Sequence, residues 1–205
     1  MFKDKFFNIE YISKFDKEDI QNIHLDKFYL DEKTSYLNKS KLWSKDFHYR
    51  RLSEAEISCA IKHIEALKKI SESDEDYALI IEDDVLTLTK FYINKLKKVM
   101  NTKDSWDILF IGQGISKDFI LKKIKKKSFL SKLYEVNHPA TNCAESYIVK
   151  KSAAKKIYES IKPFNMAYDW ELAYQIYQLD LNVKWLYPPI FHQGSISGSY
   201  KSELR

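Results

Sequence analysis

Predominantly apolar segments of strand length alternate with amphipathic segments of helix length over most of this chain. Strands are predicted at residues 6–12, 77–81, 106–112, 143–149 and 182–187, and helices at 53–71, 89–100, 151–161 and 169–179. This alternation indicates an α/β fold with a mostly parallel central sheet and helices on both faces. Pro188-Pro189 is predicted to end the regular structure. Neither an internal repeat nor a linker interrupts the 205 residues, so we predict a single domain over residues 1–205.

The helix predicted at 53–71 has the clearest signals. Ser53 and Glu56, three residues apart, form a capping-box pattern at its start. The residues expected to face the core repeat at helical spacing and are Ile57, Ala60, Ile61, Ile64 and Leu67. In the helix at 89–100, the same spacing predicts three inward residues, which are Ile93, Leu96 and Met100.

Composition narrows the class of protein. The chain has 34 Lys and Arg against 29 Asp and Glu, a formal net charge of +5. This positive charge suits an anionic ligand. It is equally expected of a chain rich in Lys, Ile and Asn that is encoded by an AT-rich genome. Cys59 and Cys143 lie far apart within apolar segments and are predicted to be core residues in a reducing compartment. No signal peptide or apolar run of membrane-spanning length is seen. We therefore expect a soluble, cytoplasmic protein, with peripheral attachment to a membrane left open.

Five of the six residues in the run KKIKKK, residues 122–127, are lysines. Such a run is most often a solvated loop. The alternative is contact with an anionic membrane or polymer, since each basic side chain near such a surface contributes about 1 kcal/mol. The sequence leaves both interpretations open.

The strand predicted at 77–81 runs directly into Glu82, Asp83 and Asp84. In an open α/β sheet, ligands bind outside the carboxyl ends of the strands, and these carboxylates fall at such an end. Adjacent carboxylates repel one another unless a cation compensates them, and all-oxygen ligands favour Mg²⁺ or Mn²⁺. A solvated acidic turn is the simpler alternative. The uncharged strand that leads into the cluster favours a metal or diphosphate site.

Several kinds of protein place carboxylates at the end of such a strand. A P-loop NTPase is excluded because no glycine opens a GxxxxGK[ST] loop. A haloacid-dehalogenase-type phosphatase needs an Asp nucleophile two residues before a second Asp. Here Glu82 occupies the position of the nucleophile, so the sequence does not favour this class. A metal-dependent nuclease and a nucleotide-sugar glycosyltransferase both remain, the latter through a DxD motif that ties a divalent ion to the donor diphosphate.

Five motifs occur in order along the chain: AEISCAIKHIEALKKIS, YALIIEDDVL, TNCAESYIVKKSAAKKI, YDWEL and PPIFHQGSISGSYKSELR. Together they resemble glycosyltransferase family 25, which includes lipooligosaccharide and collagen galactosyltransferases. In that family a helix with a Cys and a Ser-His pair precedes the EDD strand. Here Cys59 and His63 match, and Lys62 stands where the Ser is usual. The resemblance covers residues 53–205, and no good counterpart of the family's first strand and arginine-containing loop is present.

The resemblance implies a GT-A-like domain that moves galactose or a related hexose from a UDP-sugar to a hydroxyl of a glycan or other acceptor, as in lipopolysaccharide biosynthesis. It implies inversion at the anomeric carbon and Mn²⁺ or Mg²⁺ as the cofactor. Asp84 would ligate the ion, while Glu82 would ligate it or face the ribose or the ion's water shell. Asp83 would contact the donor or point away.

The tail after the two prolines supplies further candidates. His192 is equally well interpreted as a late metal ligand, as in nucleotide-sugar transferases of this fold, or as a structural histidine. Three other residues are expected to reach the diphosphate from the same tail, and these are Gln193, Ser195 and Lys201.

Asp169 and Glu171 open the helix predicted at 169–179. The functional interpretation makes one of them the general base that takes the proton of the acceptor hydroxyl, with Asp169 preferred. The structural interpretation makes Asp169 the N-cap of its helix. Tyr147 either packs in the core or stacks on the donor, and His63 is interpreted as a hydrogen-bonded core histidine.

Two other functions stay open on the sequence alone. One is a non-catalytic relative, inactive or trimmed, that binds a polymer or partner through its basic loop. The other is the metal-dependent nuclease, although nucleic acid is not the favoured partner. Turnover of a UDP-sugar in the presence of Mn²⁺ distinguishes a glycosyltransferase from both.

Overall fold

The computed structural model describes residues 8–43, 48–102, 104–114, 124–127, 133–136, 141, 143–195 and 198–199. Within these residues the α-helices are α1 (Lys33–Ser40), α2 (Glu54–Glu72), α3 (Tyr92–Met100), α4 (Lys151–Ser160) and α5 (Tyr168–Gln178). The strands are β1 (Tyr77–Ile81), β2 (Val85–Thr87), β3 (Ile108–Phe110), β4 (Ile124–Lys127), β5 (Leu133–Val136), β6 (Ser146–Lys150), β7 (Val183–Leu186) and β8 (Phe191–Gln193). Helices and strands are interleaved, so the predicted α/β class is confirmed.

Six strands form the central sheet, in the order β1-β6-β3-β7-β5-β4. Among these described strands, the β3–β7 pair alone is parallel. Strand β6 runs antiparallel to β1 and β3, and β5 runs antiparallel to β7 and β4. The prediction of a mostly parallel sheet is therefore wrong. Apolar periodicity shows that a strand is buried but not which way it runs. Strands β4 and β5, which pair with each other, are not among the predicted strands.

Helices cover both faces of the sheet. Helices α2, α4 and α5 share one core with sheet residues such as Ile108, Phe110 and Tyr147. Helix α3 and the two-stranded β2–β8 ribbon share the other core with sheet residues such as Leu109 and Ile148. Alternate residues of β3 therefore enter different cores, as expected for a strand buried on both faces.

Helix α2 has nearly the predicted bounds. The Ser53 hydroxyl accepts a hydrogen bond from the Glu56 N–H at 3.3 Å, and the Glu56 carboxylate accepts one from the Ser53 N–H at 2.9 Å. A cap of this kind stabilises a helix by about 1 kcal/mol. The five residues predicted to face the core are all buried. The same helix positions Cys59 and His63, which follow one another on one face.

Helix α3 begins later than predicted. The Thr89 hydroxyl accepts a hydrogen bond from the Phe91 N–H at 3.2 Å, a local turn that competes with the first helical turn. The helix therefore starts at Tyr92 instead of Thr89. Leu96 is buried as predicted, but Met100 is 37% exposed and Val99 takes the buried position.

The two ends of the described chain also differ from prediction. Residues 8–12 have no strand pairing, so the described part of the strand predicted at 6–12 is absent. Regular structure continues past Pro188-Pro189, because β8 pairs antiparallel with β2. This ribbon lies directly after the three carboxylates and carries His192.

Part of the lysine run is a strand. Residues 124–127 form β4 at the edge of the sheet, so the loop interpretation is wrong for them, while residues 122–123 lie outside the described residues. None of the described helices is both long and apolar enough to cross a membrane.

Candidate active site

The carboxylates after β1 lie where two strands end and a third begins. Strands β1 and β3 both run antiparallel to β6, so their carboxyl ends meet the amino end of β6. The Glu82 N–H donates to the Glu145 carbonyl at 2.9 Å, and the Ile111 N–H donates to the Ser146 carbonyl at 3.3 Å. The segments after β1, after β3 and before β6 are therefore neighbours at one edge of the sheet.

Glu82 has partners on both carboxylate oxygens. Its Oε1 lies 3.3 Å from Nε2 of His63, and its Oε2 accepts a hydrogen bond from Nε2 of Gln193 at 3.2 Å. The side chain is only 24% exposed. The sequence assigned Glu82 and Gln193 to the donor site, and the structure brings them into contact with each other. Asp83, next in the chain, is exposed.

Asp84 lies at the start of the β2–β8 ribbon. Its Oδ2 accepts a hydrogen bond from the Ser195 N–H at 3.2 Å, and its carbonyl accepts one from the Gly194 N–H at 2.8 Å. His192 pairs with Leu86, and Asp84 lies two residues before Leu86, just ahead of the paired strand. Oδ1 of Asp84 and Nδ1 of His192 are buried and have no hydrogen-bond partner among the described residues.

Asp169 reaches the same edge of the sheet from α5. Its Oδ1 accepts a hydrogen bond from the Ala144 N–H at 2.8 Å, and the N-cap of α5 is Ala167, so Asp169 does not cap its own helix. Burial raises the pKa of Asp169 to about 6. The nearby Glu82 raises the pKa further, whereas His63 and the Ala144 N–H lower it. A carboxyl group in this range suits proton transfer near neutral pH.

Glu145 is a fifth carboxyl group at this edge, and it is not among the site residues predicted from the sequence. It is 1% exposed, and among the described residues neither of its oxygens has a hydrogen-bond partner of good geometry. Burial raises its pKa to about 8, and the nearby Glu82 and Asp169 add to the shift. A Cβ on Gly112 would lie 2.0 Å from Oε1 of Glu145, so this glycine makes room for the carboxyl group.

Glu171 lies in a different environment. Its side chain is fully buried and its Oε1 forms an ion pair with Nζ of Lys39 at 2.6 Å. The Asn165 N–H and the Gln175 side chain donate further hydrogen bonds to the same carboxylate, at 3.3 and 3.4 Å. These partners hold Glu171 against α1, so the structure does not bring it together with Glu82 and Asp84. Its role as the alternative base stays a prediction.

Two tyrosines and His63 form a buried group behind the carboxylates. The Tyr147 and Tyr168 hydroxyls are hydrogen-bonded at 2.8 Å. The His63 ring stacks on Tyr168 with centroids 4.0 Å apart and planes 9° apart, and its Nδ1 lies 3.5 Å from the Tyr147 hydroxyl. Tyr147 has no exposed surface. The structure thus agrees with the core-packing interpretation of Tyr147 and with the hydrogen-bonded core interpretation of His63.

Among the described His, Cys, Asp and Glu side chains, one set of three has its ligand atoms within 4.8 Å of one another, and that set is Cys59, His63 and Glu82. The metal ligands predicted from the sequence, Asp84, Glu82 and His192, do not converge in this way. Their role stays a prediction.

The structure describes some of the site residues predicted in the tail but not all of them. Ser195 contacts Asp84 through its backbone N–H. Lys201 lies outside the described residues. The missed Glu145 did carry a sequence signal, because a lone carboxylate at the start of a buried strand is as unusual as the cluster at the end of β1. The Cys59–His63 spacing of four was also visible, but nothing in the sequence joins that pair to Glu82.

Comparison with known protein families assigns most of the chain. The model of Glycosyltransferase family 25 (LPS biosynthesis protein) matches residues 4–172. Comparison with curated proteins found no match. The matched range begins well before Ser53, where the motif resemblance was placed, and it ends before the tail that carries His192. It includes Glu82, Glu145 and Asp169 and spans more than half of the chain. The chain therefore belongs to glycosyltransferase family 25.

Proposed function

We propose that this protein transfers a hexose from a UDP-sugar to a hydroxyl group of a glycan or other acceptor, with Asp169 as the general base and Asp84 at the donor's metal ion. The family supports a glycosyltransferase with a sugar donor and a glycan acceptor in general terms. Galactose or a related hexose as the transferred sugar, and inversion at the anomeric carbon, follow from the family resemblance and are part of the proposal.

The observation that carries the proposal is a pair of hydrogen bonds that joins Asp169 to the acidic cluster. Asp169 accepts from the Ala144 N–H at 2.8 Å, and the carbonyl of the next residue, Glu145, accepts from the Glu82 N–H at 2.9 Å. The carboxyl group of Asp169, from α5, and the backbone of Glu82, the first residue after β1, are thus held by consecutive residues. Sugar transfer needs such neighbours, since the base and the donor diphosphate act on opposite sides of one carbon atom.

Asp84 and His192 fit the divalent ion that the resemblance implies. Each has one buried, unpartnered side-chain atom among the described residues, and the backbone of Asp84 is bonded to Gly194, two residues after His192. One carboxylate and one imidazole suit Mn²⁺ better than Mg²⁺, which prefers oxygen ligands. When bound, such an ion offsets negative charge on a departing diphosphate. Glu82, with partners on both oxygens, would orient Gln193 in the same site.

Asp169 has the protonation behaviour that the reaction needs. With a pKa of about 6, its carboxyl group is mostly ionised at neutral pH but binds a proton more tightly than an exposed aspartate does. In the proposed step, the carboxylate takes the proton of the acceptor hydroxyl while the hydroxyl oxygen bonds to the anomeric carbon. The bond from that carbon to the diphosphate oxygen breaks, and UDP leaves with the bonding electrons.

A screen of nucleotide sugars tests the proposal. The wild-type protein should release UDP from at least one UDP-sugar when Mn²⁺ is present, and a chelator should abolish this release. Asp84→Asn should abolish the reaction and retain the wild-type circular dichroism spectrum. Asp74→Asn, in the exposed loop before β1, is the matched control and should keep wild-type turnover.

Two results would count against the proposal. Loss of activity in Asp84→Asn through unfolding would remove the argument for a metal role. A folded wild-type protein that turns over no nucleotide sugar would instead favour the non-catalytic relative.

A further inference from the structure

We propose that Cys59, His63 and Glu82 form a second metal site, which takes a thiophilic divalent ion such as Zn²⁺ and is separate from the ion proposed at Asp84. This inference does not depend on glycosyl transfer. It rests on the convergence of three ligand atoms of different chemistry within 4.8 Å of one another.

The separation of the nitrogen and oxygen ligand atoms suits a tetrahedral ion, and the sulfur of Cys59 lies within 4.8 Å of both. Cys59 and His63 are four residues apart on α2, so they lie one turn apart on one helical face. Nε2 of His63 and Oε1 of Glu82 are 3.3 Å apart. Tetrahedral zinc with bonds of about 2.1 Å holds two nitrogen or oxygen ligands about 3.4 Å apart. The observed separation is therefore the one that the ion requires, with little movement of either side chain.

Both non-sulfur ligands are also held by outer partners. Nδ1 of His63 faces the Tyr147 hydroxyl at 3.5 Å, and the imidazole ring stacks on Tyr168. The second oxygen of Glu82 accepts a hydrogen bond from Gln193 at 3.2 Å. Metal-binding histidines and carboxylates are commonly fixed in this manner, since the outer partner sets the orientation of the ligand. Nε2 of His63 and Oε1 of Glu82 are thus already turned toward each other.

The ligand types select the ion. A thiol together with an imidazole and a carboxylate favours Zn²⁺ over Mg²⁺, which requires oxygen ligands. The three side chains leave one position of a tetrahedral ion for water. Through Glu82 and its bond to Gln193, the ion would tie α2 to the end of β1 and to β8. The two sites would then bind different ions, a thiophilic ion at Cys59 and a hard ion at Asp84.

Cobalt binding tests the proposal directly. Reduced protein is titrated with Co²⁺ in the absence of any nucleotide sugar, and the thiolate-to-cobalt charge-transfer band is recorded in the near ultraviolet. The band should appear in the wild-type protein and in Asp84→Asn, persist in excess Mg²⁺ and disappear when Zn²⁺ is added. Cys59→Ser should lack it. Cys143→Ser is the matched control, because Cys143 is the second free, half-buried cysteine and lies near the same carboxylates, and it should keep the band.

Competition with a zinc chelator measures the Zn²⁺ affinity of the wild-type protein and of Cys59→Ser. Replacing Cys59 removes a direct ligand, so the Zn²⁺ affinity should fall by more than the roughly 10- to 100-fold attributed to outer partners. A measurement on the wild-type protein tests the site even if the variant misfolds. Zn²⁺ should protect Cys59, but not Cys143, from alkylation, as detected by mass spectrometry. The proposal is overturned if the wild-type protein shows no band, if Cys59→Ser retains it, or if Zn²⁺ leaves the alkylation of Cys59 unchanged.

Discussion

Glu145 gives the sharpest prediction about stability. Its carboxyl group is buried and has a pKa of about 8, against a value of 4.5 for an ordinary glutamate. Between these two values the folded protein retains a proton that the unfolded chain has lost, so the free energy of unfolding falls as the pH rises. The contribution is fully present below about pH 4.5 and is lost as the pH passes about 8.

The magnitude follows from the size of the shift. A difference of one pKa unit corresponds to about 1.4 kcal/mol. Between pH 5 and pH 8, ionisation of Glu145 should lower the free energy of unfolding by about 3 kcal/mol. Glu145→Gln keeps the size of the side chain but cannot ionise. The variant should therefore have nearly wild-type stability at pH 5 and exceed the wild type by up to about 3 kcal/mol at pH 8.

Urea unfolding at a series of pH values measures this difference. The buffer should contain a chelator, because a bound cation near Glu82 would favour the ionised carboxylate and reduce the effect. Asp169 titrates in both proteins, so its contribution to the pH dependence of stability largely cancels when the variant is compared with the wild type. Two results would refute the reasoning. One is a stability difference between variant and wild type that is the same at pH 5 and pH 8, and the other is a variant that is less stable than the wild type at pH 8.

Three further predictions concern packing, an ion pair and the basic strand. Gly112→Ala should lower stability by about 1–3 kcal/mol, because its Cβ would meet Glu145 at 2.0 Å. Adding Glu145→Ala should recover part of that loss in a double-mutant cycle, and strictly additive losses would contradict the proposed clash. Glu171→Gln should cost about 3–5 kcal/mol in urea unfolding, since it leaves Lys39 without its buried partner; unchanged stability would argue against the pair. Changing the lysines of residues 122–127 to serine should leave turnover on a small soluble acceptor unaltered, and if this segment docks an anionic surface, vesicle binding should fall in the variant and with added salt. Salt-insensitive binding that the variant retains would exclude docking.

The sequence predicted the elements that local physics specifies. The capping box and the apolar spacing from Ile57 to Leu67 place α2 within a residue or so of its observed bounds. The uncharged run before Glu82 identifies β1, and the three carboxylates do lie where strand ends meet. These signals are readable because each depends on residues a few positions apart.

The sequence could not predict features that depend on distant pairing. The direction of β6 relative to β1 and β3 depends on the path that the chain takes between these strands, which apolar periodicity does not encode. The β2–β8 ribbon joins residues more than one hundred positions apart, so His192 becomes a neighbour of Asp84 only in the folded chain. A carboxylate at the start of a buried strand marks Glu145 as unusual in the sequence, but Glu82 and Asp169 become its neighbours only in the folded chain.

The catalytic role of Asp169 is tested most directly by the turnover number of Asp169→Asn with a UDP-sugar that the wild-type protein uses, measured together with the affinity for UDP. We expect kcat to fall by roughly 10²-fold or more while UDP affinity stays nearly unchanged, because Asp169 acts on the acceptor proton and the donor binds elsewhere. A folded Asp169→Asn variant with wild-type kcat would contradict the account.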